Sequence, residues 1–159
     1  MLDLLKDDID EEKRILGLEM LDALVVDLGP EICRNYLMYE IVSLQDDSVY
    51  RVRKETVKHI VGISQVLEKQ MFIGCILPVY KRLANDQIWG VRRQAVEVLP
   101  DICKIAPDDI KNEALLDLFK KFTKDQSKWV KQAATEFLGP FIVCYKGLEP
   151  SPVILEFYI

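Results

Sequence analysis

The sequence predicts an all-α solenoid, a right-handed superhelix of antiparallel helix pairs stacked in chain order. The first observation behind this prediction is a constant spacing of aspartates, which lie at positions 8, 47, 86 and 125 and are each 39 residues apart. The second is that apolar residues recur at the same spacing, as at Val52, Val91 and Val130. A period of this length is typical of repeat arrays in which each unit is a pair of helices. Each unit then packs mainly against its neighbours.

The motif itself recurs in three copies, of which the central one is DQIWGVRRQA at residues 86–95. Related strings stand at residues 47–56 and 125–134. Two further sets of apolar residues keep the period, namely Leu44, Leu83 and Phe122, and Ile60, Leu99 and Leu138. Agreement at so many positions indicates a repeated fold unit.

The first unit is predicted as a partial repeat over residues 1–27. Residues 1–6 read as the end of one helix, and Asp8 with Glu11 three residues later resembles a capping box that opens the next. Gly29 followed by Pro30 predicts the end of that helix and the start of another, since glycine is favoured past a helix end and proline in a first turn.

The next three units are predicted at residues 28–67, 68–106 and 107–146. Within each unit we call the first helix A and the second helix B. Pro78 and Pro100 predict bends because proline removes a backbone donor, and the last B helix should be interrupted near Gly139 and Pro140. The predicted A and B helices cover residues 30–44 and 49–67, then 69–83 and 88–105, then 107–122 and 127–145.

Residues 147–159 are predicted to begin a fifth A helix, because Ile154 and Leu155 continue the apolar phase of Leu115 and Leu116. Solenoids usually carry polar caps at their ends, and neither end of this sequence has one. We therefore expect either a piece of a longer array or ends that associate, with a second copy of the chain as one candidate partner.

The charge balance argues against two classes of partner. The chain has 21 basic and 26 acidic residues, a formal net charge of −5. Nucleic-acid binding relies on a basic surface, and so does adsorption to an anionic membrane. Neither nucleic acid nor a membrane is an expected partner.

No feature predicts a metal, a cofactor or catalysis. The four cysteines form no CxxC pair, and His59, the single histidine, shares its phase with Val98 and Phe137, which predicts a packing role. There is no nucleophile elbow or phosphate-binding glycine loop. Buried free thiols and the lack of a signal peptide predict an intracellular protein in the cytoplasm, with the nucleus as an alternative.

The recurring charged residues have a structural and a binding interpretation. Asp47, Asp86 and Asp125 are predicted to cap the B helices, where a carboxylate accepts unpaired N–H groups. A second set consists of basic residues that stand at the same distance after each of these aspartates. Each could form an ion pair with the aspartate of a neighbouring unit, or could contact a partner. This set is Arg53, Arg92 and Lys131.

Aromatic residues stand in the turns before the B helices and are the main binding candidates. Tyr50 and Trp89 share a phase, and Trp129 is one position later. Such rings are typical binding anchors, although each could instead cover the seam between adjacent units. The neighbouring basic residues are candidates as well, namely Arg51, Lys54, Lys58, Arg93 and Lys128.

The charge on the B helices also changes along the array. One phase carries Lys54, Arg93 and Gln132, and another carries Lys58, Glu97 and Glu136. A solvated face is the plain interpretation. The alternative is that this gradient orients a charged partner peptide.

Helix pairs with an aspartate in the mid-unit turn and Val-Arg opening the second helix resemble the HEAT-repeat family. Within it the chain is most similar to the N-terminal repeats of the regulatory subunits of protein phosphatase 4. The resemblance covers residues 14–143 and rests on the strings at residues 17–22, 27–33, 86–92, 129–134 and 138–141.

This resemblance implies a non-catalytic scaffold that holds a serine/threonine phosphatase catalytic subunit or further regulatory subunits. It also implies that the arginine–aspartate pairs are structural and that the turns between A and B helices form a ridge that contacts partners. A HEAT adaptor for another process, such as transport or chromatin organisation, is the alternative.

Overall fold

The computed structural model describes residues 2–7 and 9–145. These residues form helices and turns, with no strand among them. The predicted fifth A helix lies outside the described residues. The α-helices are α1 Leu2–Leu5, α2 Glu11–Ile32, α3 Met38–Leu44, α4 Tyr50–Val66, α5 Lys69–Met71, α6 Leu77–Leu83, α7 Trp89–Ile105, α8 Asp108–Ile110, α9 Leu116–Thr123, α10 Lys128–Glu136 and α11 Leu138–Val143.

Helix α2 contains the boundary that the sequence predicts between the first two units. Gly29 has φ 74° and ψ 170°, so the backbone leaves the helical region there, and Pro30 starts the next helical segment. A positive φ is accessible to glycine because it has no Cβ. The B helix of the first unit and the A helix of the second are therefore joined by a sharp kink, as predicted.

Each later A helix is interrupted by a π-helical turn at the same phase of the repeat. These turns are Cys33–Leu37, Phe72–Ile76 and Lys111–Leu115, spaced by 39 residues. The predicted cause of irregularity in the third unit was Pro78, which the structure places at the start of α6. That explanation is incomplete, because the other two A helices contain the same π-helical turn without a proline at that position.

The B helices agree closely with their predicted bounds. Helices α4 and α7 are each continuous over 17 residues, and α7 continues through Pro100 as one element. The last B helix is divided into α10 and α11 at Phe137. This division falls where the sequence predicts an interruption, just before Gly139 and Pro140, although Pro100 leaves α7 undivided.

Successive B helices pack against one another in chain order, α2 on α4, α4 on α7 and α7 on α10. The repeated apolar residues lie in these contacts: Val52, Val91 and Val130 are fully buried and belong to one continuous core. Because no single helix pair could bury its apolar face alone, stacking is what stabilises the chain. The fold is the predicted all-α solenoid.

Buried aromatic residues tie the two layers of helices together. The Tyr80 hydroxyl of α6 donates a hydrogen bond to the carbonyl of Ala95 in α7, with 2.7 Å between the oxygens. The rings of Phe119 in α9 and Phe141 in α11 stack with their centroids 4.2 Å apart. These contacts hold each A helix to a B helix, so that the turn between them is fixed in place.

Candidate functional site

Three buried arginine–aspartate pairs connect the turns of successive units, and we call them the Arg–Asp ladder. Arg53 binds Asp86 through two contacts, Nε to Oδ2 at 2.6 Å and Nη2 to Oδ1 at 3.0 Å. Arg92 binds Asp125 in the same bidentate way, with both distances 2.8 Å. Each arginine also donates to a carbonyl in its own turn, Arg53 to Asp47 O and Arg92 to Asp86 O.

The first rung of the ladder was missed at the level of sequence. Arg14 lies 2.7 Å from Asp47 through Nε and donates from Nη2 to the same carboxylate at 3.1 Å. The signal was present, because Arg14 stands 39 residues before Arg53. Lys131 forms no ion pair among the described residues, so the predicted bridge at this position is not seen.

The aspartates are not the N-caps that the sequence predicted. The N-cap residues of the B helices are Val49, Ile88 and Ser127, and none of them makes a side-chain cap. The aspartate stands two positions earlier and accepts the N–H of that residue, as in Asp86 with Ile88 at 2.8 Å. This is an Asx turn, which leaves the rest of the carboxylate for the arginine of the preceding unit.

Aspartates of the acidic run also accept backbone N–H groups at the start of α2. Asp8 lies outside the described residues, and the carboxylate that caps α2 belongs to Asp10, which accepts the N–H of Glu12 at 3.0 Å. Asp7 accepts the N–H groups of Ile9 and Asp10. The acidic run therefore does start the helix, through Asp10 among the described residues.

The pKa values of Asp86 and Asp125 reflect their pairing with arginine. Burial by itself would raise the pKa of Asp86, but hydrogen bonds from Arg53 and from the Ile88 N–H outweigh it and hold that pKa below its usual range. The same balance of burial, Arg92 and the Ser127 N–H lowers the pKa of Asp125. Both carboxyls are therefore ionised in the folded protein at neutral pH.

The ladder positions three exposed aromatic rings at the starts of the B helices, which we call the aromatic ridge. Tyr50, Trp89 and Trp129 are 47%, 45% and 42% exposed. The two tryptophan rings stack across the seam between their units, with centroids 6.3 Å apart and planes at 30°. The two tryptophans therefore meet at a seam between units while nearly half of each residue stays exposed, and the binding interpretation stays a prediction.

A groove of about 430 Å³ lies between two of these rings, and we call it the Tyr50–Trp89 groove. It spans the second and third units, since α4 supplies one side and α7 the other. Four of the predicted binding residues meet here. Its lining residues are Tyr50, Lys54, Ile88, Trp89, Gly90, Arg93, Gln94 and Glu97.

Two basic residues of this groove differ in their partners. The Nε of Arg93 lies 2.9 Å from Glu97 Oε1 on the same helix, so this guanidinium is already paired. Lys54 forms no ion pair with any residue that the structure describes, although Glu55 is its neighbour in the chain. Lys54 is therefore the cation of the groove that is open to a ligand.

The other predicted binding residues lie around this groove. Arg51 forms ion pairs with Glu11 and Glu12 of the first unit, the second at 2.7 Å. Lys58 pairs with Glu55 at 3.0 Å. Both of these basic residues line an adjacent groove of about 390 Å³, which also contains Tyr50 and Lys54.

Lys128 stands at the far end of the ridge. Its ammonium lies 4.7 Å from the centre of the Trp129 ring, a cation–π arrangement. The charge gradient predicted along the B helices is weakened by pairing within helices, since Arg93 bonds to Glu97, and Gln132 Nε2 bonds to Glu136 at 2.8 Å.

His59 is buried, as its phase predicted, and its Nδ1 lies 3.0 Å from Asp22 Oδ2 on the preceding B helix. Among the described residues no group of three or more His, Cys, Asp or Glu side chains is arranged to hold a metal ion. No helix in the same part of the chain has the length and apolarity needed to cross a membrane.

Comparison with known proteins supports an array of this kind. Residues 76–106 match the family model of the HEAT repeat. That segment begins at Ile76, the last residue of the third unit's π-helical turn, and contains Asp86 of the second rung of the ladder and Trp89. The match and the fold together support a HEAT or armadillo type of repeat protein. No curated protein matches the chain.

Two solved structures are similar over nearly the whole chain. One is an engineered protein, with a TM-score of 0.59, 16% identity and 98% of this chain covered. The other is a computationally designed armadillo repeat protein for modular peptide recognition, with a TM-score of 0.56, 19% identity and 99% covered. This chain spans 66% and 67% of their respective lengths. At such low identity the similarity shows the fold alone.

Proposed function

We propose that this chain is a non-catalytic scaffold that binds protein partners in a serine/threonine phosphatase complex of the phosphatase 4 type. The observation that supports binding is the aromatic ridge, because three large rings stay nearly half exposed on a rigid row of turns. Aromatic residues in such positions are typical hot spots of protein interfaces. The phosphatase assignment is supported by the sequence strings that resemble regulatory subunits of that complex.

Rigidity is a further argument for this role. The turn before each B helix is fixed by an aspartate that binds both an arginine of the preceding unit and a backbone N–H of its own. A surface that is ordered before it binds loses less conformational entropy on association. The ridge therefore suits a scaffold, whose task is to present a fixed surface.

Affinity purification tests the proposal. We expect the tagged chain to recover a serine/threonine phosphatase catalytic subunit or other regulatory subunits from a cell extract, and Trp89→Ala to reduce that recovery. Lys69→Gln, on α5, is a control because this exposed lysine is outside the ridge. Recovery of only transport factors or chromatin proteins would favour the alternative, a HEAT adaptor for another process.

Catalysis is not part of the proposal. Folds of this type are typically non-catalytic, and we expect no turnover when the purified chain is assayed with phosphatase and hydrolase substrates. Turnover that co-purifies with the chain through several columns, and is removed by a point substitution, would contradict this expectation.

We also propose that a second copy can dock on the first unit. Leu16, Met20 and Leu24 form an exposed apolar stripe on α2. Met20 and Leu24 correspond, 39 residues later, to His59 and Ile63, which are buried where α4 packs on α2. A B helix from a second copy could therefore pack on this stripe in the same way. Sedimentation should show concentration-dependent dimers that Met20→Glu abolishes, and a monomer at all concentrations would refute this.

A further inference from the structure

We infer that the Tyr50–Trp89 groove holds an extended acidic peptide segment of a partner protein. The segment would place an aromatic or aliphatic side chain between the two rings and a carboxylate beside Lys54. This inference rests on the proposed protein-binding function and names the chemistry of the ligand for one part of the ridge.

The apolar part of the argument is the exposure around the groove. Tyr50 and Trp89 come from successive units and face one space of about 430 Å³, and Ile88 adds a third exposed apolar side chain to its wall. A volume of this size takes one or two side chains of a peptide and leaves its backbone at the surface. Covering these rings removes apolar area from water, which favours binding.

Gly90 provides part of the open space in the groove. A Cβ built at this position would meet nothing within 4 Å, so packing inside the protein does not require a glycine here. Glycine in the middle of a helix costs about 0.5–1 kcal/mol relative to alanine, and Gly90, in the first turn of α7, costs less than that. The same phase carries Arg51 in the second unit and Trp129 in the fourth, so only the third unit leaves this space open.

The groove stays open at this position because Gly90 has no side chain. A side chain as large as the arginine or tryptophan of the neighbouring units would project into the space beside Trp89. The glycine therefore keeps the groove accessible, at a small cost in helix stability. Gly74 and Gly139 are equally open, so Gly90 is distinguished by its place in the lining of this groove.

The charges of the groove select an acidic occupant. The charged groups that line it are Lys54, Arg93 and Glu97, which sum to +1, whereas the whole chain carries −5. Glu97 is engaged by Arg93, and Lys54 makes no ion pair in the part of the chain that the structure describes. A carboxylate can form an ion pair with Lys54, whereas a basic group at the same place would be repelled by it.

A peptide is favoured over a nucleic acid as the source of that negative charge. A nucleic-acid strand presents a regular row of phosphates and needs several cations in a row to bind it. Among the described residues the groove offers one unpaired cation, Lys54, beside the apolar side chains of Tyr50, Ile88 and Trp89. This pattern matches a peptide that alternates an apolar side chain with a carboxylate.

The test begins with a phage-displayed library of random 12-residue peptides selected on the intact 159-residue chain. The most enriched peptides are then synthesised with a fluorescent label, and their affinity is measured by fluorescence anisotropy. We expect the enriched sequences to combine an acidic residue with a nearby aromatic or aliphatic residue. Enrichment of basic sequences, or of none, would overturn the inference.

Two pairs of variants locate the binding site. Gly90→Gln fills the groove and should weaken binding about tenfold or more, whereas Gly74→Gln is a matched control at a second open glycine outside the groove. Lys54→Gln should weaken binding roughly three- to tenfold, and Lys69→Gln should leave it unchanged. Peptides that bind Gly90→Gln as well as the wild type would contradict the inference.

A loss of binding in Gly90→Gln can be distinguished from a loss of folding. Glutamine is a better helix former than glycine, so Gly90→Gln should melt at the temperature of the wild type or above it in circular dichroism. The phosphatase proposal is tested separately by recovery of the catalytic subunit. Peptide binding without that recovery would refute the phosphatase assignment and leave the groove intact, and the opposite result would refute the groove alone.

Discussion

Replacement of Asp86 by alanine should destabilise the chain more than any exposed charge substitution. The carboxylate is only 3% exposed and accepts three hydrogen bonds, two from Arg53 and one from the N–H of Ile88. Asp86→Ala removes all three. It also leaves the Arg53 guanidinium, whose side chain is 14% exposed, without its counter-charge.

The size of the effect follows from these contacts. Breaking a fully buried ion pair by removing one partner costs about 3–5 kcal/mol, because a charge is left buried and unpaired. Arg53 keeps its hydrogen bond to the Asp47 carbonyl at 2.7 Å and some contact with water, which lowers the cost. We therefore expect a loss of about 2–3 kcal/mol in the free energy of unfolding. For a chain of this size that corresponds to a melting temperature lower by about 5–10 °C.

Urea denaturation followed by circular dichroism and by tryptophan fluorescence measures this loss. The matched control is Asp46→Ala, because Asp46 pairs with Arg82 at 3.0 Å but both side chains are more than half exposed. An exposed pair of this kind contributes only about 0–1 kcal/mol. A double-mutant cycle with Arg53→Ala should give a coupling energy of about 1.5 kcal/mol or more between Arg53 and Asp86.

Two results would refute this reasoning. If Asp86→Ala destabilised the chain no more than Asp46→Ala, burial would not govern the strength of the ladder. If the cycle gave no coupling, the aspartate would matter through its Asx turn alone. Either result would remove the argument that the turns are fixed across units.

Three further predictions concern packing, acid stability and thiol reactivity. In Gly62→Ala the new Cβ would lie 1.8 Å from Asp22 Oδ1, so the Asp22 side chain, which is 39% exposed, must turn away from His59. Alanine is the better helix former, so thermal melts should show a net loss of only about 1 kcal/mol or less. Because the pKa of Asp125 is lowered in the folded state, its unfolded form protonates first as the pH falls. Stability should thus decrease below about pH 4–5, and less so in Asp125→Asn when acid titrations are followed by circular dichroism. Burial raises the pKa of Cys103, so mass spectrometry after brief iodoacetamide treatment should find half-buried Cys75 modified well before it.

The fold was accessible from the sequence because one signal was repeated. A spacing of 39 residues brought Val52, Val91 and Val130 into one phase, and the same three residues are fully buried. The helix boundary at Gly29 and Pro30 could also be predicted locally, because the φ angles that these two residues favour produce the kink. The π-helical turns were not accessible, because no residue type marks them and only one of the three is followed closely by a proline, Pro78.

The candidate site was accessible in part. Phase alone identified Tyr50 and Trp89 as neighbours on one surface, but it could not show that Lys54 is unpaired while Arg93 is held by Glu97. Those pairings depend on side-chain reach between residues on the same helix face, where several partners compete. The role proposed for Gly90 in the groove was not predicted for a related reason, since an open space can be recognised only after the neighbouring side chains are placed.

The ladder and the aromatic ridge are two consequences of the same turn. Asp86 accepts the N–H of Ile88, and the next residue is Trp89, so the ion pair to Arg53 in the second unit fixes where a ring of the third unit begins. Tyr50 stands in the same relation to Asp47. The width of the groove between the two rings is therefore set by buried charges that cross from unit to unit. The proposed peptide site therefore predicts that a substitution in the ladder lowers peptide affinity without touching the peptide.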